Sequence, residues 1–238
     1  MQALINIFGF SVPTYFVITS LSICLGVVWC WWRALKFGID PKKVLDLCIV
    51  LCLAGFVGGR ITHVVVEEPS WYWDHPQLIF HFWRGGFVWY GGALFCMIAG
   101  WIYLHLIKVQ EHGKWFDLFA PPASLVTALG RLGCFASGCC YGKSCDLPWA
   151  LDGRHPTQLY LFTWETLSLA LISFAERRKP PRPGTIFALW LILHSLGRFV
   201  VEFFRADPRG PVWGLSFSGW IAVIVAVSCG VWILRRPP

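Results

Sequence analysis

The sequence predicts an all-α membrane protein with seven transmembrane helices and a cavity that opens to the outer leaflet. Hydrophobic residues make up 56% of the 238 positions, charged residues only 14%, and tryptophan occurs 15 times. This composition is too apolar for a soluble domain. Apolar segments of about 20 residues, the length that crosses a bilayer, recur along the whole chain. They leave no room for a separate soluble head domain, so we expect one polytopic domain over residues 1–238.

The predicted spans follow one another with short connections. The first has no basic residue before it and no small-residue cleavage site after it, so we predict a retained helix and not a removed signal peptide. Segment 63–84, which contains Trp71 and Trp73, is predicted to be an interfacial hairpin with an aromatic belt. The seven spans cover residues 13–32, 44–66, 87–107, 116–137, 156–176, 184–205 and 216–234.

Lysine and arginine in the loops predict the orientation. Most of the 20 basic residues follow spans 1, 3, 5 and 7, and basic residues concentrate in cytoplasmic loops. We therefore expect the N-terminus outside and the C-terminus in the cytoplasm. The net charge of +7 suits contact with anionic membrane lipids and gives no reason to expect nucleic acid. The basic residues after these four spans are Arg33, Lys36, Lys42, Lys43, Lys108, Lys114, Arg177, Arg178, Lys179, Arg182, Arg235 and Arg236.

Two spans carry ionised side chains in their predicted outer halves. In the fourth, Arg131 lies within the glycine-rich stretch GRLGCFASGCCYG of residues 130–142. An ionised side chain at membrane depth costs about 2.5 to 3.5 kcal/mol, so it usually faces a cavity, a partner or a charged ligand. In the sixth, His194, Arg198, Glu202 and Arg205 recur at spacings of three and four and share one helical face. This stripe lines a cavity, or Arg198 and Glu202 satisfy each other structurally at i, i+4.

The fifth span begins with the sequence RHPTQLY at residues 154–160. Pro156 is favoured in the first turn of a helix, and the exposed backbone donors there attract an anion. His155, beside Arg154, is therefore a candidate contact to an anionic group. The alternative is a capping loop without a ligand.

Six sequence blocks stand in the order found in bacterial phosphatidylglycerol-prolipoprotein diacylglyceryl transferases, and the chain resembles this family over almost its whole length. The resemblance implies transfer of the diacylglyceryl group of phosphatidylglycerol to the lipobox cysteine of a prolipoprotein signal peptide. A thioether forms and glycerol phosphate leaves, without a cofactor, at the bacterial cytoplasmic (inner) membrane. The blocks are Pro13-Thr14-Tyr15, Gly58-Gly59-Arg60, Tyr90-Gly91-Gly92, Gly130-Arg131-Leu132-Gly133 with Gly138 and Gly142, HPTQLY at 155–160 and GRFVVEFFR at 197–205.

The sequence departs from the family pattern at three positions. Tyr90 stands where the family usually has histidine, Cys134 where it usually has asparagine, and His194 where a tyrosine is common. A histidine and a tyrosine are thus exchanged between two helices. These departures keep two alternatives open, which are a phospholipid-dependent transferase with a different acceptor and a non-catalytic lipid-binding or transport protein.

The chemistry of thioether formation indicates which residues matter. A free thiol is mostly protonated at neutral pH, and the departing phosphate gains charge. Arginine holds phosphate oxygens bidentately, which suits Arg131 and Arg198. Histidine titrates near neutrality, so His194 is the expected base with Tyr90 as a hydrogen-bond donor. The rival base is His155, and Glu202 is expected to orient Arg198 or His194. The other candidate substrate-binding residues are Tyr15, Arg60, Gly91, Gly92, Cys134, Gly142, Arg154, Gln158 and Arg205.

The ten cysteines divide into two groups. Six lie in apolar spans and are predicted to be small core residues. Cys134, Cys139, Cys140 and Cys145 form C-x4-C-C-x4-C at the predicted outer end, where a disulfide, a packing role or a chemical role for Cys134 are all open. The lack of a Cys-x-x-Cys pair argues against a metal or redox site, so no metal ligand is predicted.

Overall fold

The computed structural model describes residues 4–7, 10–82, 85–178, 182–206, 211–212 and 215–235. Lys179 and Arg236, two of the residues used to predict the orientation, lie outside the described residues. The described chain is mostly helical, with two small antiparallel strand pairs. The long helices are α1 (Thr14–Phe37), α2 (Pro41–Thr62), α4 (Trp89–Leu106), α5 (His112–Ala136), α6 (Thr157–Arg178), α7 (Thr185–Glu202) and α8 (Phe217–Arg235).

The shorter elements lie between and before these helices. Strands β1 (Leu4–Ile7) and β2 (Phe10–Pro13) pair before α1, and β3 (Pro211–Val212) and β4 (Leu215–Ser216) pair before α8. In the predicted interfacial segment, α2 continues into a π-helical turn over His63–Glu67, which is followed by helix α3 (Pro69–Asp74) and a 3-10 turn over Pro76–Phe80. Most of residues 63–80 are therefore helical, and the interfacial position of this segment stays a prediction.

Each predicted span corresponds to one long helix, but only six of these helices are long and apolar enough to cross a membrane. The exception is α6, whose polar side chains Thr157, Gln158, Glu165 and Ser168 are all buried inside the protein. Their burial explains how this helix remains stable despite its lower hydropathy, because a polar face is satisfied by neighbouring helices. The described helices also expose large apolar side chains such as Val28, Met97 and Leu234. Such outward-facing apolar side chains are typical of contact with lipid.

The chain divides into two compact units. Unit 1 contains Met1–Arg33 and Glu111–Pro238, and unit 2 contains Ala34–Gln110. The expectation of a single polytopic domain over residues 1–238 stays a prediction.

Unit 2 is built on close packing between α2 and α4. A Cβ atom at Gly58 would overlap the Phe95 ring, and one at Gly91 would overlap the side chain of Thr62. A Cβ atom at Gly92 would lie 3.0 Å from the carbonyl oxygen of Gly55. Small residues let two helix backbones approach each other, so these glycines have a packing role in the described structure.

Unit 1 packs α5, α6, α7 and α8 together with the first part of α1. Its apolar centre includes Ala120, Ile172 and Ile186. Arg33, which the orientation argument counted with the loop residues, is instead buried. Its guanidinium forms a bidentate ion pair with Glu176 at 2.8 and 3.0 Å. Arg33 thus ties α1 to α6 in addition to any role in orientation.

Candidate active site

Most of the predicted site residues lie in unit 1, where four segments meet. These segments are the C-terminal half of α5, the loop after it, the start of α6 and the C-terminal half of α7. Unit 2 holds the others, which are Arg60, Tyr90, Gly91 and Gly92.

Arg131 is half-buried on α5. Within the part of the chain that the structure describes, its guanidinium makes no hydrogen bond or ion pair, and its electrostatic interaction is with Tyr15. Tyr15 reaches this place because Gly133 has no side chain, and a Cβ atom there would lie 3.2 Å from the Tyr15 ring. An unpaired guanidinium keeps its five donors available for an anion.

The loop between α5 and α6 is fixed by backbone pairing around Gly142. Its N–H donates to the carbonyl oxygen of His155 at 3.0 Å, and the next N–H, that of Lys143, donates to Phe204 at 2.8 Å. A Cβ atom at Gly142 would lie 2.5 Å from His155 and 2.8 Å from the Phe204 oxygen. Gly142 therefore allows the loop, the start of α6 and the end of α7 to meet.

Other predicted residues of this loop have partners within the protein. Nδ1 of His155 lies 3.2 Å from the hydroxyl of Tyr160. Arg154 is exposed, and its guanidinium lies over the Tyr141 ring at 4.5 Å. Gln158 is buried and donates to the carbonyl oxygen of Cys139 at 2.6 Å. Gln158 thus holds the loop in place.

Arg198 on α7 is paired inside the protein. Its Nη2 lies 2.6 Å from a carboxylate oxygen of Glu202 and donates to Ser218 of α8 at 3.0 Å. Ser218 in turn donates to the other Glu202 oxygen at 2.9 Å. This is the i, i+4 pairing that the sequence left open as the structural alternative.

His194, one turn before Arg198, is paired with an acidic residue of α6. Nδ1 of His194 lies 2.5 Å from Oε1 of Glu165. Glu165 is only 1% exposed. Ser124 of α5 donates to the other Glu165 oxygen at 3.1 Å. A carboxylate on Nδ1 fixes the orientation of the imidazole and favours the tautomer in which Nε2 accepts a proton.

Glu165 is therefore a site residue that the sequence argument did not select. Glu202 was expected to orient Arg198 or His194; in the structure it contacts Arg198, while Glu165 contacts His194. An acidic residue in the middle of an otherwise apolar predicted span was the signal that could have identified it.

Three cysteines come together where α5 ends. The sulfurs of Cys134, Cys139 and Cys140 all lie within 4.8 Å of one another, and the Cys139 and Cys140 sulfurs are 3.2 Å apart. The structure describes all ten cysteines, and none of them forms a disulfide. The chain after α5 folds Cys139 and Cys140 back beside Cys134, so three possible metal ligands lie together although the sequence analysis predicted none.

The two loop cysteines differ in their acidity. Hydrogen bonds from the thiols of Cys134 and Cys139, together with the Arg205 guanidinium, hold the pKa of Cys140 well below its usual value. The hydrogen bond with Cys134 lowers the pKa of Cys139, but the hydrogen bond with Cys140 and burial outweigh it, so the pKa of Cys139 is raised.

In unit 2, Tyr90 is half-buried at the start of α4 and packs edge-on against Trp89 with ring centroids 5.2 Å apart. Arg60 is 8% exposed and donates four hydrogen bonds to backbone oxygens. These go to Leu78 at 2.7 Å, Ile79 at 3.0 Å, Gly85 at 2.7 Å and Gly86 at 3.1 Å. This geometry favours a role in holding the segment after α2, and does not support the predicted role of Arg60 in binding substrate.

We expect Arg60→Ala to lower the stability of unit 2, because it leaves buried carbonyl oxygens without donors. One unsatisfied buried group costs about 1 to 3 kcal/mol. Thermal unfolding of the purified variant should show the loss of stability. Arg60→Lys should recover only part of that stability, because lysine lacks the planar guanidinium that donates to several oxygens at once. The matched control is Lys114→Ala, which removes an exposed ion pair with Glu111. Unchanged unfolding together with weaker lipid binding in Arg60→Ala would restore the substrate-binding assignment.

The helices and these side chains define a multi-pass membrane protein. Its unit 1 holds an arginine without an ion pair among the described residues and a histidine oriented by a carboxylate. The chain belongs to the prolipoprotein diacylglyceryl transferase family, whose sequence model matches residues 2–235. The resemblance found in the sequence blocks is thereby confirmed.

Curated relatives agree with this assignment along nearly the whole chain. A phosphatidylglycerol-prolipoprotein diacylglyceryl transferase of Clostridium tetani is 31% identical over 235 residues, which are 94% of this chain and 93% of the relative. The enzyme of the same name from Symbiobacterium thermophilum is 32% identical and covers 98% of this chain and 92% of its own. One from Legionella pneumophila is 29% identical over 90% of both chains.

Proposed function

We propose that this protein transfers the diacylglyceryl group of phosphatidylglycerol to the lipobox cysteine thiol of a prolipoprotein signal peptide. The observation that carries the proposal is the Arg131 guanidinium, which is half-buried, is held in the family's glycine-rich motif and has no ion pair among the described residues. A charge in that setting requires an anion, and the phosphate of the lipid supplies one.

The reaction forms one bond and breaks one. The acceptor sulfur attacks the third glycerol carbon of the diacylglyceryl group, and the carbon–oxygen bond to phosphate breaks. The phosphate oxygen keeps the electron pair and departs as glycerol phosphate. Arg131 stabilises the charge that develops on this oxygen, which is the contribution that matters most in a low-dielectric site.

The thiol proton goes to His194. Its Nδ1 is held by Glu165 at 2.5 Å, so Nε2 is the nitrogen that accepts the proton and forms an imidazolium next to a carboxylate. Arg198 lies one turn further along α7 and is bound to Glu202. Tyr90 is the candidate hydrogen-bond donor to the lipid head group. In the predicted orientation the outer ends of these helices lie on the outer side of the cytoplasmic (inner) membrane, and the cavity opens to its outer leaflet.

The test is a reconstituted transfer assay. Purified protein is incubated with phosphatidylglycerol and a lipobox peptide, and the peptide mass and the released glycerol phosphate are measured. We expect a mass gain of one diacylglyceryl group on the cysteine. The same peptide with serine in place of cysteine, and phosphatidylcholine in place of phosphatidylglycerol, serve as controls and should give no product.

A second candidate is transfer from the same lipid to a different acceptor. It is favoured by Tyr90 and Cys134, which occupy positions where the family usually has histidine and asparagine. Release of glycerol phosphate from phosphatidylglycerol only when another thiol or hydroxyl acceptor is added would favour it. A non-catalytic lipid-binding protein would give neither product, and the oriented His194 argues against it.

A further inference from the structure

The three sulfurs at the end of α5 have the arrangement of a partial metal site. Cys134 lies on the last turns of the helix, and Cys139 and Cys140 follow in the loop. Thiolates are the preferred ligands of Zn²⁺ and other soft cations, and a catalytic zinc site has three protein ligands and one open position. Among the described residues, no fourth His, Cys, Asp or Glu completes this group.

The backbone around the sulfurs is held by buried side chains. Thr157, which is fully buried, donates to the carbonyl oxygen of Cys140 at 2.6 Å, and Gln158 donates to that of Cys139 at 2.6 Å. Gly138 follows the end of α5 with φ +68°, and the N–H of Cys139 then bonds back to the carbonyl oxygen of Cys134 at 3.2 Å. Cys140 itself has φ +64°, a conformation that costs energy for a residue with a side chain. A strained residue fixed from both sides is consistent with a geometry maintained for a ligand.

The distances allow coordination with small side-chain movements. Zn–S bonds of about 2.3 Å place tetrahedral sulfurs roughly 3.8 Å apart. The sulfurs here are separated by 3.2 Å at the Cys139–Cys140 contact and by at most 4.8 Å overall. Side-chain rotation that moves each sulfur by less than about one ångström therefore brings all three to bonding distance from one ion.

The charges nearby suit a cluster of thiolates. Arg205 is 6% exposed and hydrogen-bonds to Cys140, and Arg131 is three residues before Cys134 on the same side of α5. Three thiolates and one Zn²⁺ carry a net charge of −1, which these two guanidinium groups offset.

We propose that Cys134, Cys139 and Cys140 bind Zn²⁺ through three thiolates and leave the fourth position for an exogenous thiol. Binding releases the three cysteine protons to solvent and leaves the oxidation state of zinc unchanged. The part of the proposal that concerns the fourth position rests on the proposed function. A lipobox thiol bound there would give its proton to His194, as in the proposed function, and its sulfur would then attack the glycerol carbon while the phosphate leaves with the electron pair.

The metal is tested without any transfer assay. Full-length protein is purified under reducing conditions, exposed to Zn²⁺, dialysed and analysed for metal content. We expect about one Zn²⁺ per chain. The bound ion should protect three thiols from reaction with a disulfide reagent. Cys134→Ser, Cys139→Ser and Cys140→Ser should each weaken Zn²⁺ binding by at least ~10-fold. The matched control is Cys145→Ser, which removes a cysteine of the same loop that is not in the group and should bind like the unmodified chain.

Co²⁺ in place of Zn²⁺ reports the geometry and the fourth position. A tetrahedral site with thiolates gives intense visible bands and sulfur-to-cobalt charge transfer. Adding a lipobox peptide should strengthen the charge-transfer band, and the serine peptide should not. Because neither measurement needs the lipid, failure here is distinguishable from failure of the transfer assay.

Three results would overturn the proposal. Metal-free protein after Zn²⁺ exposure, with the three thiols still reactive, would show that the sulfurs do not bind zinc. Retention of Zn²⁺ in all three serine variants would place the metal elsewhere. A Co²⁺ spectrum that does not change with the cysteine peptide would remove the fourth-position assignment. Thermal unfolding of each variant separates loss of the site from loss of the fold.

Discussion

Replacing Arg131 with Ala should abolish transfer while the protein still inserts and folds. Arg131 is the half-buried guanidinium without a protein partner among the described residues, so its removal breaks no internal ion pair there. Loss of one preorganised donor to a developing oxyanion costs about 10²–10³ in rate, and loss of a bidentate charged contact should reach at least the upper end. The measurement is kcat/KM for diacylglyceryl transfer from phosphatidylglycerol, with thermal unfolding as the control for folding.

Arg131→Lys distinguishes charge from geometry. Lysine keeps the positive charge but lacks the planar fork, so activity should be impaired but above that of Arg131→Ala. Arg178→Ala is the matched control, because Arg178 is an exposed arginine at the end of α6 that lies over Phe174. Its activity should equal that of the unmodified chain. Full activity of both Arg131→Lys and Arg131→Ala would refute phosphate binding by this residue.

Arg198 should behave differently, although sequence reasoning assigned it the same role. Its ion pair with Glu202 and its bond to Ser218 mean that Arg198→Ala leaves a carboxylate without its cation. Breaking a buried ion pair is strongly destabilising, by about 3 to 5 kcal/mol. Activity lost in that variant must therefore be compared with its unfolding temperature before it is assigned to lipid binding.

The helices could be predicted because bilayer length and apolar composition dominate the sequence. The predicted span 216–234, for example, appears as Phe217–Arg235. Apolar composition does not explain the stability of α6. Its buried polar residues are satisfied by neighbouring helices that are distant in sequence. The same holds for Arg60, whose partners are the carbonyl oxygens of residues 78–86.

Local pairs in the site could be predicted and distant ones could not. Arg198 and Glu202 are four residues apart on one helix, so their contact was available from spacing alone. Glu165 and His194 come from different helices, and only the packing of α6 against α7 brings them together. Packing there depends on Gly197, where a Cβ atom would overlap the Trp164 ring. The three cysteines were visible as a sequence cluster, but the left-handed turn at Gly138 that folds them together was not recognised as such.

His194→Phe should lower turnover by about 10²–10⁴-fold, the usual contribution of a positioned proton acceptor. Phospholipid binding should change little, so the effect appears in kcat and not in KM. Without a base, the rate follows the fraction of ionised acceptor thiol, whose free pKa is about 8.5. Activity of the variant should therefore rise about tenfold per pH unit between pH 6 and 8. A positional role alone would leave the pH profile unchanged.

Glu165→Gln tests the positioning of this histidine. The change keeps the volume of the buried side chain but removes the charge that orients Nδ1 of His194. We expect a smaller loss of turnover than in His194→Phe, and an activity that rises with pH as it does in that variant. A purely structural role would lower only the unfolding temperature.

The exchange between Tyr90 and His194 gives the last and most specific expectation. Tyr90→Phe alone should cost about 1 kcal/mol, the worth of one hydrogen bond. Tyr90→His combined with His194→Tyr restores the family's usual residue at both positions, so it should recover part of the activity that His194→Tyr alone loses. The rival base is His155, whose Nδ1 lies 3.2 Å from the hydroxyl of Tyr160. Because that contact does not include a carboxylate, His155→Ala should affect turnover less than His194→Phe does. The reverse order, with His155→Ala inactive and His194→Phe fully active, would move the proton transfer to the start of α6.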